Sequence, residues 1–146
     1  MPSATFTETV EIDAAPDDVW DRLQVPSIWA SVGPVQKVWD PTIENGVLQN
    51  FKWSTNIGGK VYEGVGTALE HDRPHRYVLD LDAGEMAGKV STDLSAGNPG
   101  GTVIDVSIEL RSKGMLSSLF FPAIKNAVGS GFPAQVADMA AQLATD

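Results

Sequence analysis

The chain has 146 residues, of which 42% are hydrophobic and 20% charged, with a net charge of -9 and no cysteine. A chain of this length can bury a sizeable core without disulfides or metals. Only 10 Lys and Arg stand against 19 Asp and Glu. This balance disfavours nucleic-acid binding and attachment to anionic membranes, since both need cations. We predict a single domain over residues 1–146 with no nucleic acid among its partners.

Targeting signals are missing from the sequence. The N-terminal residues do not combine basic residues with a following apolar stretch, as a secretory signal would. No apolar run reaches the roughly 18 residues of a membrane span. We therefore predict a cytoplasmic protein without stable membrane insertion.

The N-terminal part of the chain predicts one strand and two short helices. Residues 5–12 alternate between apolar and polar side chains, which indicates a strand with one buried face, and Glu8 falls on that face. Pro16 suits the first position of a helix, and two aspartates follow it at the positive end of the helix dipole. A further helical turn is predicted over residues 27–32.

Period-2 patterning dominates the middle of the chain. Turn residues such as Asn, Gly and Pro separate six apolar runs, and short turns require neighbouring strands to pair antiparallel. The last run is the clearest because four aliphatic side chains share one face. The predicted strands cover residues 35–39, 47–55, 60–70, 76–82, 87–94 and 102–111.

A long amphipathic helix is predicted at the C-terminal end, from Leu116 to Leu143. We expect Pro122, the Gly129 and Gly131 pair, and Pro133 to bend or break it. The fold class is therefore α+β, with a seven-stranded antiparallel sheet that buries one face against this helix. A sheet wrapped around a single helix leaves a cavity between them, where apolar ligands can bind.

Particular residues add a family resemblance to this pattern. Residues 10–20 read VEIDAAPDDVW, and Trp29, a Glu70/Pro74/His75/Arg76 group and the long final helix follow in order. Together they resemble the polyketide cyclase/dehydrase and lipid transport family of the START-like (SRPBCC) superfamily, over essentially the whole chain. The resemblance implies the helix-grip fold, in which a seven-stranded curved antiparallel sheet wraps around a long C-terminal helix and two short helices separate strands 1 and 2. It also implies a carrier, a cyclase, a hormone receptor or a protein without a known role.

The sequence departs from that family in two places. The link from Gln24 to Trp29 is shorter than usual, which affects how the pocket mouth is closed on that side. Cyclases of the family often carry an arginine or tyrosine inside the cavity to polarise an enolate. No arginine is clearly aimed inward here, since the candidates lie on a helix, at a turn or at a strand end: Arg22, Arg73, Arg76 and Arg111.

Choosing the more apolar face of each strand predicts which residues point inward. On the four central strands these are Val47, Gln49, Phe51 and Trp53; Val61, Glu63, Val65, Thr67 and Leu69; Tyr77, Leu79 and Leu81; and Gly88, Val90, Thr92 and Leu94. On the last strand Ile104, Val106, Ile108 and Leu110 point inward. For any single apolar member, core packing is favoured over ligand contact.

Large or polar residues within this set are the candidates for ligand contact, because a buried polar group needs a partner. A desolvated Glu63, or Tyr77, could act as a catalytic acid or base. A register shift or a bulge beside Gly64 and Gly66 would instead turn Glu63 outward to solvent. The predicted ligand-binding residues are Trp29, Gln49, Phe51, Trp53, Val65, Tyr77, Leu79, Thr92, Phe120, Ile124 and Val128.

Neither a metal nor a cofactor is predicted. His71 and His75 are four residues apart, a spacing that converges only on a helix, and the Arg73-Pro74 pair between them indicates a turn. Two glycines at 64 and 66 do not complete a dinucleotide fingerprint.

Three functional hypotheses remain open. The leading one is binding of a hydrophobic or aromatic small molecule, lipid-like or polyketide-like, between the sheet and the C-terminal helix, as a carrier or sensor. The second is a polyketide cyclase/dehydrase enzyme that uses an acid/base residue in the same cavity. The third is a protein-interaction module with a collapsed cavity. A monomer or homodimer is expected.

The run from Leu119 to Phe121 could touch a membrane during lipid exchange, or begin the final helix with Phe121 covering a strand.

Overall fold

The computed structural model describes residues 2–32, 35–57, 59–114 and 118–144. Its elements in chain order confirm the predicted α+β succession of one strand, short helices, six strands and a long helix. They are β1 (Ser3–Ile12), α1 (Pro16–Leu23), a 3₁₀ helix (Pro26–Ser31), β2 (Lys37–Glu44), β3 (Val47–Ile57), β4 (Lys60–Asp72), β5 (Arg76–Asp82), β6 (Met86–Ala96), β7 (Thr102–Ser112) and α2 (Phe121–Leu143).

The strands form an antiparallel sheet in the order β1-β7-β6-β5-β4-β3-β2. Helix α2 packs against β1 and β7 on one side and against α1 and the 3₁₀ helix on the other. This curved sheet around a C-terminal helix is the helix-grip fold. The interior lies between the concave face of the sheet and α2.

Helix α1 fixes one end of α2. Pro16 lies at its start, and Val19, Trp20 and Leu23 form its buried face. The Arg22 guanidinium donates a hydrogen bond of 2.6 Å to the backbone carbonyl of Leu143, the last residue of α2. This contact satisfies a carbonyl that a helix C-terminus otherwise leaves unpaired.

Strand β4 presents the opposite face from the one predicted. Its inner positions are Tyr62, two glycines and Ala68, whereas all five predicted residues are exposed: Val61, Glu63, Val65, Thr67 and Leu69. A Cβ on Gly66 would lie 2.5 Å from the ring of Phe51, and one on Gly64 would lie 2.9 Å from the ring of Trp53. The aromatic side chains of β3 thus cover bare positions of β4, so the inner face of β4 looks less apolar than its outer face.

Strand β3 contains a bulge that changes its phase. Thr42 pairs with Asn50 and Ile43 pairs with Leu48, so Gln49 is the extra residue. Leu48 is fully buried, whereas Gln49 is half-buried, which corrects the prediction that Gln49 points inward. Burial confirms the other predicted inward faces. Phe51 and Trp53 on β3 are buried, and so is every residue that was predicted to point inward on β5, β6 and β7.

Helix α2 begins later than predicted, at Phe121, and the predicted start at Leu116 lies outside the described residues. The helix continues unbroken through Gly129, Gly131 and Pro133, so of the predicted bend or break at these residues the break is wrong. Proline has no backbone N–H, so one hydrogen bond of the helix is missing at Pro133, but packing of the buried face keeps the segment helical. Phe121 is buried, but Leu119 and Phe120 are 72% and 58% exposed.

Two further observations concern the edges of the fold. Strand β2 runs beyond its predicted end, past an irregularity after Trp39 at which Asp40 adopts a φ of 50°.

No helix among the described residues has the length and hydropathy needed to cross a membrane.

Candidate functional site

The interior has two ends of different character. The first, here called the closed end, lies beneath α1 and the 3₁₀ helix and comprises Trp20, Gln24, Trp29, Leu48 and Tyr77. The Tyr77 ring meets Trp20 edge-on at a centroid distance of 5.7 Å and Trp29 at 5.8 Å. All five side chains are buried.

Hydrogen bonds tie the closed end together. The Tyr77 hydroxyl donates to the Leu48 carbonyl at 2.5 Å, and the Leu48 N–H donates to Gln24 Oε1 at 2.9 Å. Gln24 Nε2 donates to the Trp20 carbonyl at 3.2 Å, and Trp29 Nε1 donates to the Leu23 carbonyl at 2.9 Å. The polar side-chain atoms of Gln24, Trp29 and Tyr77 are therefore paired with backbone groups.

These contacts make Tyr77 a structural residue. Burial raises its pKa well above the ordinary value of a phenol, so the hydroxyl stays protonated at neutral pH. The hydroxyl already donates its one hydrogen bond to the Leu48 carbonyl. Tyr77 and Trp29 are both explained by packing and hydrogen bonding within the protein, without a ligand.

A small cavity, here called the pocket, marks the other end of the interior. It lies among β3 to β7 and the N-terminal half of α2, and its volume is about 20 Å³. A cavity of roughly 10–15 Å³ is enough to admit one water molecule. The lining residues are mostly apolar, and none is charged: Trp53, Thr55, Tyr62, Leu81, Ala83, Met86, Ala87, Gly88, Leu110 and Val128.

One polar atom in the pocket wall lacks a partner. Trp53 is 4% exposed, and its indole Nε1 has no hydrogen-bond partner among the described residues. Thr92 Oγ1 and Gln135 Oε1 share this condition but do not belong to the pocket lining. Buried donors are nearly always paired, so the Trp53 indole is an exception that needs an explanation.

Two ion pairs involve residues that are close in the chain to lining residues of the pocket, and they are here called the rim. Lys60 Nζ lies 3.0 Å from Glu85 Oε2 and 4.9 Å from the centre of the Tyr62 ring. The hydrogen bond to Glu85 raises the pKa of Lys60. Lys113 Nζ lies 2.9 Å from Asp82 Oδ2, and this contact lowers the pKa of Asp82. The first pair thereby links the start of β4 to the β5–β6 turn, and the second links the residue after β7 to the end of β5.

The structure brings few of the predicted ligand-binding residues together. Trp53 and Val128 line the pocket. Others are buried away from its lining, namely Phe51, Leu79, Thr92 and Ile124. Glu63 and Val65 lie outside, where they border a surface groove with Trp39 and Lys52, and Phe120 is exposed just before α2. The predictions that Val65 and Phe120 face the interior are therefore wrong, and of the two alternatives for Glu63 the structure has the outward one.

Several lining residues were not among the predicted ligand contacts. Tyr62 was missed because the outer face of β4 is the more apolar one, although the Gly64 and Gly66 pair opposite Trp53 and Phe51 carries the signal of an aromatic-covered inner face. Met86 and Ala87 begin β6 next to a turn. At a strand end, the alternation of apolar and polar residues is weak evidence of which side chains face inward.

Metal ligands do not cluster in the described parts of the chain. No group of three His, Cys, Asp or Glu side chains there could hold an ion. His71 belongs to β4, and His75 lies at the following turn.

The sequence of residues 3–144 matches the profile of the family described as polyketide cyclase / dehydrase and lipid transport. The chain belongs to this family. No curated protein matches it in sequence.

Solved structures share the fold at low sequence identity. TTHA0849 from Thermus thermophilus has a TM-score of 0.74 at 11% identity, covering 96% of this chain and 97% of that one. The Zhui aromatase/cyclase from Streptomyces sp. R1128 has a TM-score of 0.70 at 16% identity, covering 97% and 92%. A START superfamily protein from Mycobacterium smegmatis has a TM-score of 0.69 at 12% identity, covering 95% and 98%. Family membership supports a START-type ligand-binding fold for this chain.

Proposed function

We propose that the protein binds a hydrophobic or aromatic small molecule, lipid-like or polyketide-like, in the pocket between the sheet and α2, and acts as a carrier or sensor. The observation that carries the proposal is the pocket wall, whose side chains are mostly apolar and uncharged. Burial of apolar ligand surface there supplies the binding free energy. The aromatase/cyclase among the structures of this fold gives the proposal further support.

Ligand entry requires the pocket to enlarge. A volume of about 20 Å³ is far below the roughly 300–1,000 Å³ typical of ligand pockets. Met86 and Val128 both belong to the lining, and a methionine side chain adapts readily to a new neighbour. Helix α2 has no side-chain cap at its N-terminus, whereas Arg22 binds its C-terminus. We expect the end of α2 beside the pocket to move on binding.

Ligand-induced stabilisation tests this function. A panel of uncharged aromatic and lipid-like molecules is added during thermal unfolding, and native mass spectrometry of protein from its own host identifies any bound molecule. A ligand at 100 times its Kd stabilises the folded state by about 2.7 kcal/mol. Failure of the whole panel, together with an empty protein, contradicts the proposal.

A pocket-filling variant locates the binding site. The nearest atoms to a Cβ on Gly88 lie 3.7–3.9 Å away, so Gly88→Ala adds a methyl to the lining without a clash. We expect this variant to fold and to bind the same ligand more weakly. Thr67→Ala, on the outer face of β4, is the control and keeps wild-type affinity. Equal binding by both variants contradicts a site in the pocket.

Catalysis through the predicted acid/base residues is not part of the proposal. Glu63 is exposed on the outer face of β4, while the pocket lies against the inner face. The Tyr77 hydroxyl is engaged as a hydrogen-bond donor to the Leu48 carbonyl at the closed end.

A protein-interaction role is the second candidate, and two observations favour it. The pocket is small, and Val61 and Val65 are 60% and 48% exposed on the outer face of β4. An outer apolar surface of this kind can pair with a second copy. Sedimentation velocity then shows self-association that a Val61→Thr/Val65→Thr double variant removes. A concentration-independent monomer contradicts this role.

A further inference from the structure

The indole of Trp53 is held in one position by the strand beside it. Trp53 pairs with Gly64 across β3 and β4, and a Cβ at Gly64 would lie 2.9 Å from the indole ring and 2.2 Å from the backbone oxygen of Asp82. Only a residue without a side chain leaves this space for the ring. The ring is therefore held in place in the pocket wall, and its unpaired N–H is buried there with it.

That N–H differs from the buried indole N–H of Trp29. Trp29 donates to the Leu23 carbonyl at 2.9 Å, whereas Trp53 donates to no group among the described residues. An indole N–H can only donate a hydrogen bond, so its missing partner must be an acceptor. Leaving such a donor buried and unpaired costs free energy that a bound acceptor recovers.

The rest of the pocket wall restricts what that acceptor can be. None of the described lining residues carries a charge, and several are aliphatic or Met, among them Leu81, Met86 and Val128. A carboxylate or phosphate would be buried here without a cation, which is unfavourable. An uncharged oxygen on an apolar body meets both conditions.

We infer that the Trp53 indole N–H is the ligand-orienting donor of this pocket, and that the ligand is an uncharged, largely aromatic molecule whose carbonyl oxygen accepts that hydrogen bond. This inference rests on the proposed binding function and specifies its ligand class.

A matched set of probes tests the inference by isothermal titration calorimetry. 2-Acetylnaphthalene carries the carbonyl, 2-ethylnaphthalene replaces it with a methylene, and 2-naphthoate replaces it with a charged carboxylate. We expect the ketone to bind roughly 3- to 10-fold more tightly than the hydrocarbon, as one net hydrogen bond predicts. The carboxylate should bind more weakly than either.

Variants of two tryptophans assign the preference to one indole. Trp53→Phe keeps a flat ring without the donor, so it should bind both neutral probes with equal affinity. Trp29→Phe, at the closed end, is the matched control and should keep the preference for the ketone. Circular dichroism confirms that each variant is folded.

An NMR readout reports on the same hydrogen bond directly. The Trp53 indole ¹H–¹⁵N resonance, assigned by its loss in Trp53→Phe, should move downfield with the ketone and less with the hydrocarbon. Met86→Ala, which enlarges the pocket, serves as a second host if the wild-type protein binds the probes weakly.

The outcomes separate the two proposals. If neither neutral probe binds the wild-type protein or Met86→Ala, and no panel molecule stabilises the protein, the proposed function fails. If both neutral probes bind with equal affinity, the binding function stands and the role of Trp53 is overturned. A ketone preference that survives in Trp53→Phe overturns it as well.

Discussion

The closed end and the pocket each contain a buried tryptophan, yet they differ in how their polar atoms are satisfied. At the closed end, Gln24, Trp29 and Tyr77 all bind backbone groups of the protein itself. In the pocket, the indole N–H of Trp53 donates a hydrogen bond to none of the described residues. Most buried donors are paired, so an unpaired donor that belongs to a pocket lining points to a partner that is not part of the chain.

The largest expected effect comes from adding a side chain behind Trp53. In Gly64→Ala the new Cβ would lie 2.2 Å from the Asp82 backbone oxygen and 2.9 Å from the indole ring. We expect a loss of about 3 kcal/mol in the free energy of unfolding, because neither the backbone nor the packed ring can move away freely. Urea unfolding measures it. Gly88→Ala, whose Cβ meets nothing closer than 3.7 Å, is the control. Equal stability of the two variants would show that the wall of the pocket is not rigid.

A polar deletion at the closed end should have the next largest effect. Gln24→Leu removes the acceptor of the Leu48 N–H and the donor to the Trp20 carbonyl. We expect a loss of about 2 kcal/mol, because a buried backbone N–H is left unpaired. Gln49→Leu is the control, since Gln49 is half-buried in the β3 bulge and makes one long contact of 3.4 Å. A Gln24→Leu protein as stable as Gln49→Leu would contradict the distinction between the two ends.

Alkaline pH should loosen the closed end through Tyr77. Burial raises the folded-state pKa of Tyr77 above the value of about 10 in the unfolded chain. The resulting stabilisation is complete below about pH 10 and decreases above it, by about 1.4 kcal/mol for each pH unit. The difference in unfolding free energy between the wild type and Tyr77→Phe should therefore become smaller as the pH rises from 9 to 11. Tyr62→Phe retains Tyr77 and should keep the wild-type slope. A Tyr77→Phe protein that loses stability as steeply as the wild type contradicts the assignment.

The rim ion pair should affect ligand exchange more than stability. Lys60 and Glu85 are solvent-accessible, so their pairing adds little to folding. Lys60→Met should leave urea unfolding unchanged and speed the entry of 2-acetylnaphthalene, as measured by stopped-flow fluorescence. High salt should speed entry into the wild-type protein in the same direction. Lys37→Met on β2 is the control. Identical entry rates in both variants would show that the ion pair does not restrict the rim.

The element order was predictable from the sequence because each element carries its own period. Strand β7 alternates without interruption, and α2 keeps an apolar stripe over its whole length. Local pattern determines such elements, so their type and succession agree with the structure. Their faces depend on neighbours. Gly64 and Gly66 are inner residues because Phe51 and Trp53 on the next strand cover them, and no count of apolar residues along β4 reveals this.

The site was less predictable than the fold for a related reason. Trp53 and Val128 were among the predicted contacts and do line the pocket. Tyr77 was also among the predicted contacts, but its hydroxyl donates to the carbonyl of Leu48, a residue 29 positions away in the chain. Which buried polar group already has a partner depends on three-dimensional contacts between distant segments, and hydrophobic patterning carries no information about them.

The Arg22 contact with Leu143 gives α2 two unequal ends. Its C-terminal carbonyl is held by a guanidinium, while its N-terminus lacks a side-chain cap and follows the exposed Leu119 and Phe120. Amide protons in the first turns of the helix should exchange with deuterium faster than those near Leu143. The first turns of α2, beside the pocket, thus open before the last turns, beside α1. A molecule could enter or leave the pocket while the C-terminal end of the helix stays folded.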